Sequence, residues 1–370
     1  MKALNFLAFF LVSLITACTA QNQSTWNNAP DLKDGWTITN PASVGINEDS
    51  LGNFFTYIRS EQHPDFRAIM VAKDGKLVME EYFNSFWRTN IHDIRSAGKS
   101  ITSMLAGVAM DKDLFKSTDK VVSFFPAYKN SKNPSAEKSA ITVEDLLVMS
   151  SGLASDDYQN DSPGLEGYMT DTEDYLKFVL DLPMDFKPGE RWAYSSAVAF
   201  LLGAIVENTS GQTLEDFARK NLFGPMGITQ FFWEKSPKGR NTGMGNLYLE
   251  PRDLAKLGQV MLDNGQWNGQ QILPKSFVKK SFEKRFDISD NDPFAHGYGY
   301  MWYIAKMDSK GQTIDYYFAS GNGGNKIFIV PELNMIVTTM SSAYGQGYGQ
   351  RRSHKVLQYI LNATVENNER

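Results

Sequence analysis

Apolar positions along this chain follow a helical period, then a strand period, then repeat both on a larger scale. Leu51, Phe54, Phe55 and Ile58 recur at helical spacing behind a capping stretch at Asn47 to Ser50, which predicts an amphipathic helix. The run FRAIMVAKDGKLVMEEYF then places two β-rich segments around Asp74-Gly75, a hairpin signal. From Ile101 to Met110 the residues Ile101, Leu105 and Val108 return to helical spacing, with Ala97, Gly98, Ala106 and Gly107 small enough for close packing. Ser96 therefore stands at the start of a helix.

The middle of the chain reads as helices. ITVEDLLVMSSG carries Thr142 and Asp145 at capping-box spacing and stops near Gly152. VAFLLGAIVENTSG, TLEDFARKNLFGPMG and PRDLAKLGQVMLDNG continue the helical pattern. After His296 the period shortens, and YGYMWYI, TIDYYFAS, NKIFIVP and NMIVTTMSS predict strands before a last helix through Val356, Leu357, Ile360 and Leu361. Terminal strands that join one antiparallel sheet, flanked by helices and interrupted by a helical insertion, explain this order most economically. The expected architecture is α/β in the α+β sense. It is one domain over 41–365, with a sheet part at about 41–95 and 296–365 and a helical part at about 96–295.

Composition narrows the setting. The 370 residues are 42% hydrophobic and 21% charged with net charge −5, and no basic block follows the path of a phosphate backbone, so nucleic acid is not the expected partner. Lys2 precedes the apolar run ALNFLAFFLVSLITA, which suits a secretory signal over 1–17 better than a membrane span. Cys18 is the single cysteine, and LITAC resembles a bacterial lipobox, in which that thiol is lipid-modified and the preceding segment removed. The expectation is an exported cell-envelope lipoprotein tethered to the membrane through Cys18, with a linker over 18–40 and no disulfide.

The stretch RSAGKS, residues 95–100, carries the chemistry. Gly98-Lys99-Ser100 looks like the end of a phosphate loop, but that motif needs glycine where Asp93 stands, and a carboxylate there would repel phosphate. The alternative is the S-x-x-K pair Ser96 and Lys99. The same spacing recurs at Ser117, Ser135, Ser276 and Ser281, in stretches where a solvated lysine is expected; only Ser96 opens an apolar helix. Residues three apart on a helix share a face, so the Lys99 amine can reach the Ser96 hydroxyl. It must be neutral to take a proton, and at an unperturbed pKa of about 10.4 only roughly one molecule in a thousand is neutral near pH 7. Burial must supply the difference. Tyr194, in GERWAYSS, is the candidate for returning a proton to the leaving group, and the glycine-rich ASGNGGNKIFIV could present backbone N–H groups to a substrate carbonyl.

With these motifs in this order, residues 45 to 362 resemble the serine β-lactamase and penicillin-binding superfamily, in its class C, esterase and D-amino-peptidase branch. The resemblance implies that Ser96 is the acylated nucleophile, Lys99 its base or proton shuttle and Tyr194 a second acid/base. It also implies an oxyanion hole from the backbone N–H groups of Ser96 and Asn325, and it requires no cofactor. Two departures shape the expected substrate. The Y-x-N motif stands as Tyr194-Ser195-Ser196, similar to the 6-aminohexanoate-dimer hydrolase and esterase branch, with Ser196 in the ligand-contacting position. The K-T-G or H-x-G motif stands as Asn322-Gly323-Gly324, whose uncharged Asn322 is poorly suited to a β-lactam carboxylate. A small ester or amide is the expected substrate; a slowly acylating envelope sensor and a true class C β-lactamase are the alternatives. His63, His92, His296 and His354 are scattered without ligand spacing, which argues against a metal site. Tyr298 and Trp302 are open candidates for the pocket wall.

Overall fold

Asp74 and Gly75 adopt φ of 53° and 71°, the paired left-handed conformation of a two-residue hairpin turn, and so fix the register Lys73↔Lys76. The computed structural model describes residues 29–59, 63–128 and 131–366. In chain order the strands are β1 (Thr37–Ile38), β2 (Phe66–Lys73), β3 (Lys76–Tyr82) and β4 (His92–Asp93). Next come β5 (Phe231–Trp233), β6 (Leu247–Leu249), β7 (Gln266–Trp267) and β8 (Gln270–Gln271). The last are β9 (Gly297–Tyr298), β10 (Tyr303–Ser309), β11 (Gln312–Gly321), β12 (Asn325–Val330) and β13 (Met335–Ser341). The helices are α1 (Glu48–Ile58), α2 (Gly98–Asp111), α3 (Ala136–Ala140), α4 (Val143–Leu147), α5 (Glu166–Thr170) and α6 (Tyr175–Asp181). They continue with α7 (Ser196–Ser210), α8 (Leu214–Ala218), α9 (Pro251–Leu262), α10 (Lys275–Ser281) and α11 (Gly347–Thr364).

The main sheet runs β1-β3-β2-β13-β12-β11-β10-β9, so the early hairpin closes onto the late strands through the antiparallel β2–β13 pair. Alternation along β12 sorts its two faces. Ile327 meets Gly258 of α9, where an added Cβ would lie 2.8 Å from the isoleucine side chain. Phe328 meets His354 of α11 on the other side. Helices thus cover both faces, as expected for this fold class. Asn47 caps α1, and Thr142 with Asp145 forms the capping box of α4.

Three expectations need correction. The linker does not extend over 29–40: β1 pairs in parallel with β3, and Trp36 packs edge-on against Trp267 at 5.1 Å. Asp34 and Glu80 also pair with the buried Arg252 at 3.0 and 2.5 Å. Trp36 and Asp34 stand in a stretch whose few apolar residues follow no period, so nothing in the pattern marks either one. Second, α9 belongs to the sheet, packing on β2, β12 and β13, while the 96–295 segment also contributes β5 and β6, which join β4 in the small sheet β4-β6-β5. Third, YGYMWYI is not continuous strand. Met301 turns to φ 58°, and the carbonyls of Tyr300 and Met301 accept from Ser103 and Ser100 of α2 at 2.9 and 2.6 Å. This hook fixes the helix that begins beside Ser96. Among the described residues no helix is long and apolar enough to cross a membrane. The signal segment and Cys18 lie outside the described residues.

One buried cation marks a site of instability. Lys326 is 1% exposed, with its amine 2.7 Å from Ser320 Oγ and 4.5 Å from the centre of the Phe318 ring. Burial pushes it down to about 7, against the pull of Asp292. Because the folded value lies below the unfolded one of about 10.4, the penalty is complete below about pH 7 and fades as pH rises between the two. Lys326→Met is therefore expected to stabilise the fold by about 2–4 kcal/mol at pH 6 and by less than half of that at pH 9. Urea unfolding at both pH values checks this, and a destabilised variant at pH 6 would contradict it.

Candidate active site

Ser96 lies in a tight turn, Arg95–Ala97, between β4 and α2. Arg95 takes φ 53°, a left-handed conformation for a non-glycine residue that costs on the order of 1 kcal/mol or more. Asp93 holds it there: its carboxylate accepts from the Arg95 backbone N–H at 2.8 Å and pairs with Arg95 Nε at 3.1 Å. The Arg95 guanidinium also lies 4.5 Å over the Tyr344 ring. Glycines clamp the turn from two sides. A Cβ on Gly321, at the end of β11, would sit 2.0 Å from the Ile94 carbonyl oxygen, and one on Gly245 would sit 3.0 Å from the Arg95 carbonyl carbon. Only a bare backbone permits both approaches.

Lys99, one turn along, is 2% exposed. Its Nζ lies 3.0 Å from Ser96 Oγ, donates to the Met244 carbonyl at 2.8 Å and stands 5.0 Å from the centre of the Tyr194 ring. Burial lowers its pKa, with the carboxylates of Glu166 and Asp157 pulling the other way. With one N–H committed to Met244, the lone pair of the neutral amine is free to face the serine hydroxyl. Tyr194 is also buried. Burial raises its phenol well above the usual range; a hydrogen bond with Ser96 acts against that rise, and the Asp157 and Glu166 charges add to it. The protonated phenol is thus the resting form, held flat against Tyr158 with ring centres 5.3 Å apart and 12° between planes. Ser96, Lys99 and Tyr194 are brought together as the sequence suggested.

β11 and β12 both pack on the Ser96 turn, which brings Asn325 to it. The Asn325 side chain is fully buried and works inward, donating to the carbonyls of Asn322 and Ser341 at 2.8 and 3.1 Å and accepting from Ser341 N at 3.0 Å. It ties the 322–325 turn to β13. Gly323 and Gly324 have φ of 88° and 93°, and their missing side chains leave room for the Ser341 and Gly349 carbonyls. Both are buried and shape the turn. Asn322 is exposed, with Oδ1 accepting from Gly345 N at 2.9 Å.

Ser196 is placed differently from its expected ligand contact. It is fully buried, and its hydroxyl donates to Glu166 Oε2 at 2.6 Å, so it faces the 154–166 loop. Tyr298 and Trp302 are core residues at 1% and 0% exposure rather than pocket wall. Of the other S-x-x-K lysines, Lys120, Lys279 and Lys284 are exposed, but Lys138 is buried and donates to the Lys132 and Leu180 carbonyls at 2.9 and 3.0 Å instead of reaching Ser135 Oγ. The solvated reading fails at that one position. Sequence reasoning also missed the Met244 carbonyl, Asp157 and Glu166. The glycines flanking Met244 in GMGN were the only available signal for the first.

A sequence model of the Beta-lactamase family matches residues 67–359. A putative D-alanyl-D-alanine carboxypeptidase of Escherichia coli K12 is 27% identical over 169 residues, which span 45% of this chain and 39% of that relative's length. A putative 6-aminohexanoate-dimer hydrolase from Bacillus anthracis superposes with TM-score 0.66 at 20% identity, covering 81% of this chain and 79% of its own. A β-lactamase/D-alanine carboxypeptidase from Yersinia pestis, complexed with citrate, gives TM-score 0.68 at 19% identity over 88% of this chain and all of that one. At such identities the superpositions show a shared fold.

Proposed function

Because the chain belongs to the β-lactamase family, we propose that it is a serine hydrolase that cleaves an ester or small amide through an acyl-enzyme on Ser96. The observation that carries this reading is the 3.0 Å separation of Ser96 Oγ from an amine kept from water. In the first half-reaction Ser96 Oγ attacks the substrate carbonyl carbon as Lys99 Nζ takes the hydroxyl proton. The negative charge on the carbonyl oxygen is met by the backbone N–H groups of Ser96 and Asn325. Tyr194 gives its proton to the leaving oxygen or nitrogen as that bond breaks and recovers one from the Lys99 ammonium. Water then attacks the ester carbonyl with the same groups acting in reverse, releasing the acid and restoring the Ser96 hydroxyl.

Small esters and amides are favoured over β-lactams because of the charges around the site. Asn322 supplies no cation, the Arg95 guanidinium is engaged by Asp93, and Glu166 and Asp157 place negative charge near Lys99. A fluorophosphonate probe with peptide mapping tests the nucleophile. A panel of short-chain nitrophenyl esters, linear amide oligomers, a D-alanyl peptide and a chromogenic cephalosporin tests the class. Ser96 labelling with ester turnover well above cephalosporin turnover is expected. Labelling without turnover of any substrate would favour the sensor reading, and no labelling at Ser96 would overturn the hydrolase reading. We also propose that the protein is exported and anchored through lipid on Cys18; radioactive palmitate incorporation that survives Cys18→Ser would contradict the anchor.

A further inference from the structure

The tyrosine assigned to proton delivery sits just ahead of α7, and the 154–166 loop grips three consecutive residues there. Asp157 N donates to the Tyr194 carbonyl at 2.7 Å, and Asp157 Oδ2 accepts from Ser196 N at 2.7 Å. One residue thereby holds the main chain on both sides of Ser195, directly after Tyr194. Its other oxygen, Oδ1, accepts from Glu166 N at 3.0 Å, and the Glu166 carboxylate in turn accepts from the Ser196 hydroxyl. Between these, Ser155 Oγ and Ser195 Oγ are 2.6 Å apart, and Ser195 caps α7. The serine at position 196 is accounted for by this lattice: it joins Tyr194 to the loop.

We propose that Asp157 is a positioning residue for Tyr194, holding the phenol in line with Ser96 and Lys99 through the main chain that directly follows it. The assignment rests on the hydrolase reading above. Asp157 touches no reacting atom. It sets where the phenol stands, and its charge reaches Lys99 and Tyr194, where it favours the ammonium and disfavours the phenolate. A loop anchor with a merely structural role would have the first effect only through unfolding and would not have the second.

Asp157→Ala and Asp157→Asn separate these cases. With an amide substrate, Asp157→Ala is expected to lower kcat by about 10- to 100-fold while KM changes little, the scale associated with misplacing a reacting group by about 1 Å, and with a nitrophenyl ester the loss should be much smaller. Asp157→Asn keeps one acceptor oxygen and is expected to recover part of kcat. Its acid limb, set by Lys99 with Glu166 and Tyr194 facing it, should move to lower pH because a carboxylate that favoured the ammonium is gone. Variants with wild-type kcat and an unmoved limb would overturn the assignment. So would a kcat loss that tracks a lowered Tm in both variants with the limb unmoved. Wild-type protein that neither labels at Ser96 nor turns over substrate would overturn the hydrolase reading and this assignment with it; labelling with unaffected variants would overturn this assignment alone.

Discussion

Lys99→Ala is expected to reduce acylation of Ser96 by about 10³-fold or more, since it removes the base and the nucleophile's hydrogen-bond partner together. Loss of the amine leaves the Met244 carbonyl without its donor, at about 1–3 kcal/mol, but also removes the burden of burying a titratable group. The variant should remain folded, with near-native circular dichroism. Lys99→Arg sharpens the test. A guanidinium can still donate toward Met244 and Ser96, but it does not deprotonate, so it should acylate as poorly as alanine despite keeping the positive charge. Stopped-flow measurement of the acylation burst, or the rate of fluorophosphonate labelling, reads the effect. An arginine variant with appreciable acylation would mean that Lys99 acts by charge and not as a base.

Tyr194→Phe should lower kcat/KM on amides by on the order of 10²- to 10⁴-fold and on nitrophenyl esters far less. Nitrophenolate departs without help, whereas an amine must be protonated as the C–N bond breaks. Phenylalanine keeps the ring against Tyr158 and the face presented to Lys99, so packing is preserved while the proton is lost. The ratio of amide to ester kcat/KM is the deciding quantity. Equal losses on both substrates would assign Tyr194 a role in placing Ser96 or Lys99, not in leaving-group protonation.

The parts of the site visible in the sequence are those in which chemistry and local structure coincide. Ser96 and Lys99 are three apart at a helix start, so their proximity follows from helix geometry alone. Tyr194 stands between a turn and an apolar helix, and Asn325 follows a pair of glycines that opens a strand. The parts that were not visible are assembled by long-range closure. Met244 meets Lys99 across 145 positions, and Gly321 abuts Ile94 from the far end of the chain. Asp157 lies in a loop with no periodicity to mark which residues face inward, and Glu166 opens α5, whose 5 residues are too few to show one. At Ser196 the pattern indicated a ligand contact because the motif places an amide there, but a carboxylate 30 positions upstream takes the hydroxyl instead. The fold follows the same division. The sheet and the major helices announce themselves by period, while the packing of Trp36 and the hook at Met301 depend on single side chains and on carbonyls that meet only in three dimensions.

The pH dependence of Ser96 acylation by a neutral ester, measured between pH 5 and pH 11, tests the central claim most directly: that burial keeps enough of Lys99 uncharged for it to act as a base. The rate should climb along a single limb with its midpoint well below the ordinary lysine value of about 10.4, and the limb should vanish in Lys99→Ala. A limb centred near that ordinary value, or one that persists unchanged in Lys99→Ala, would contradict the account.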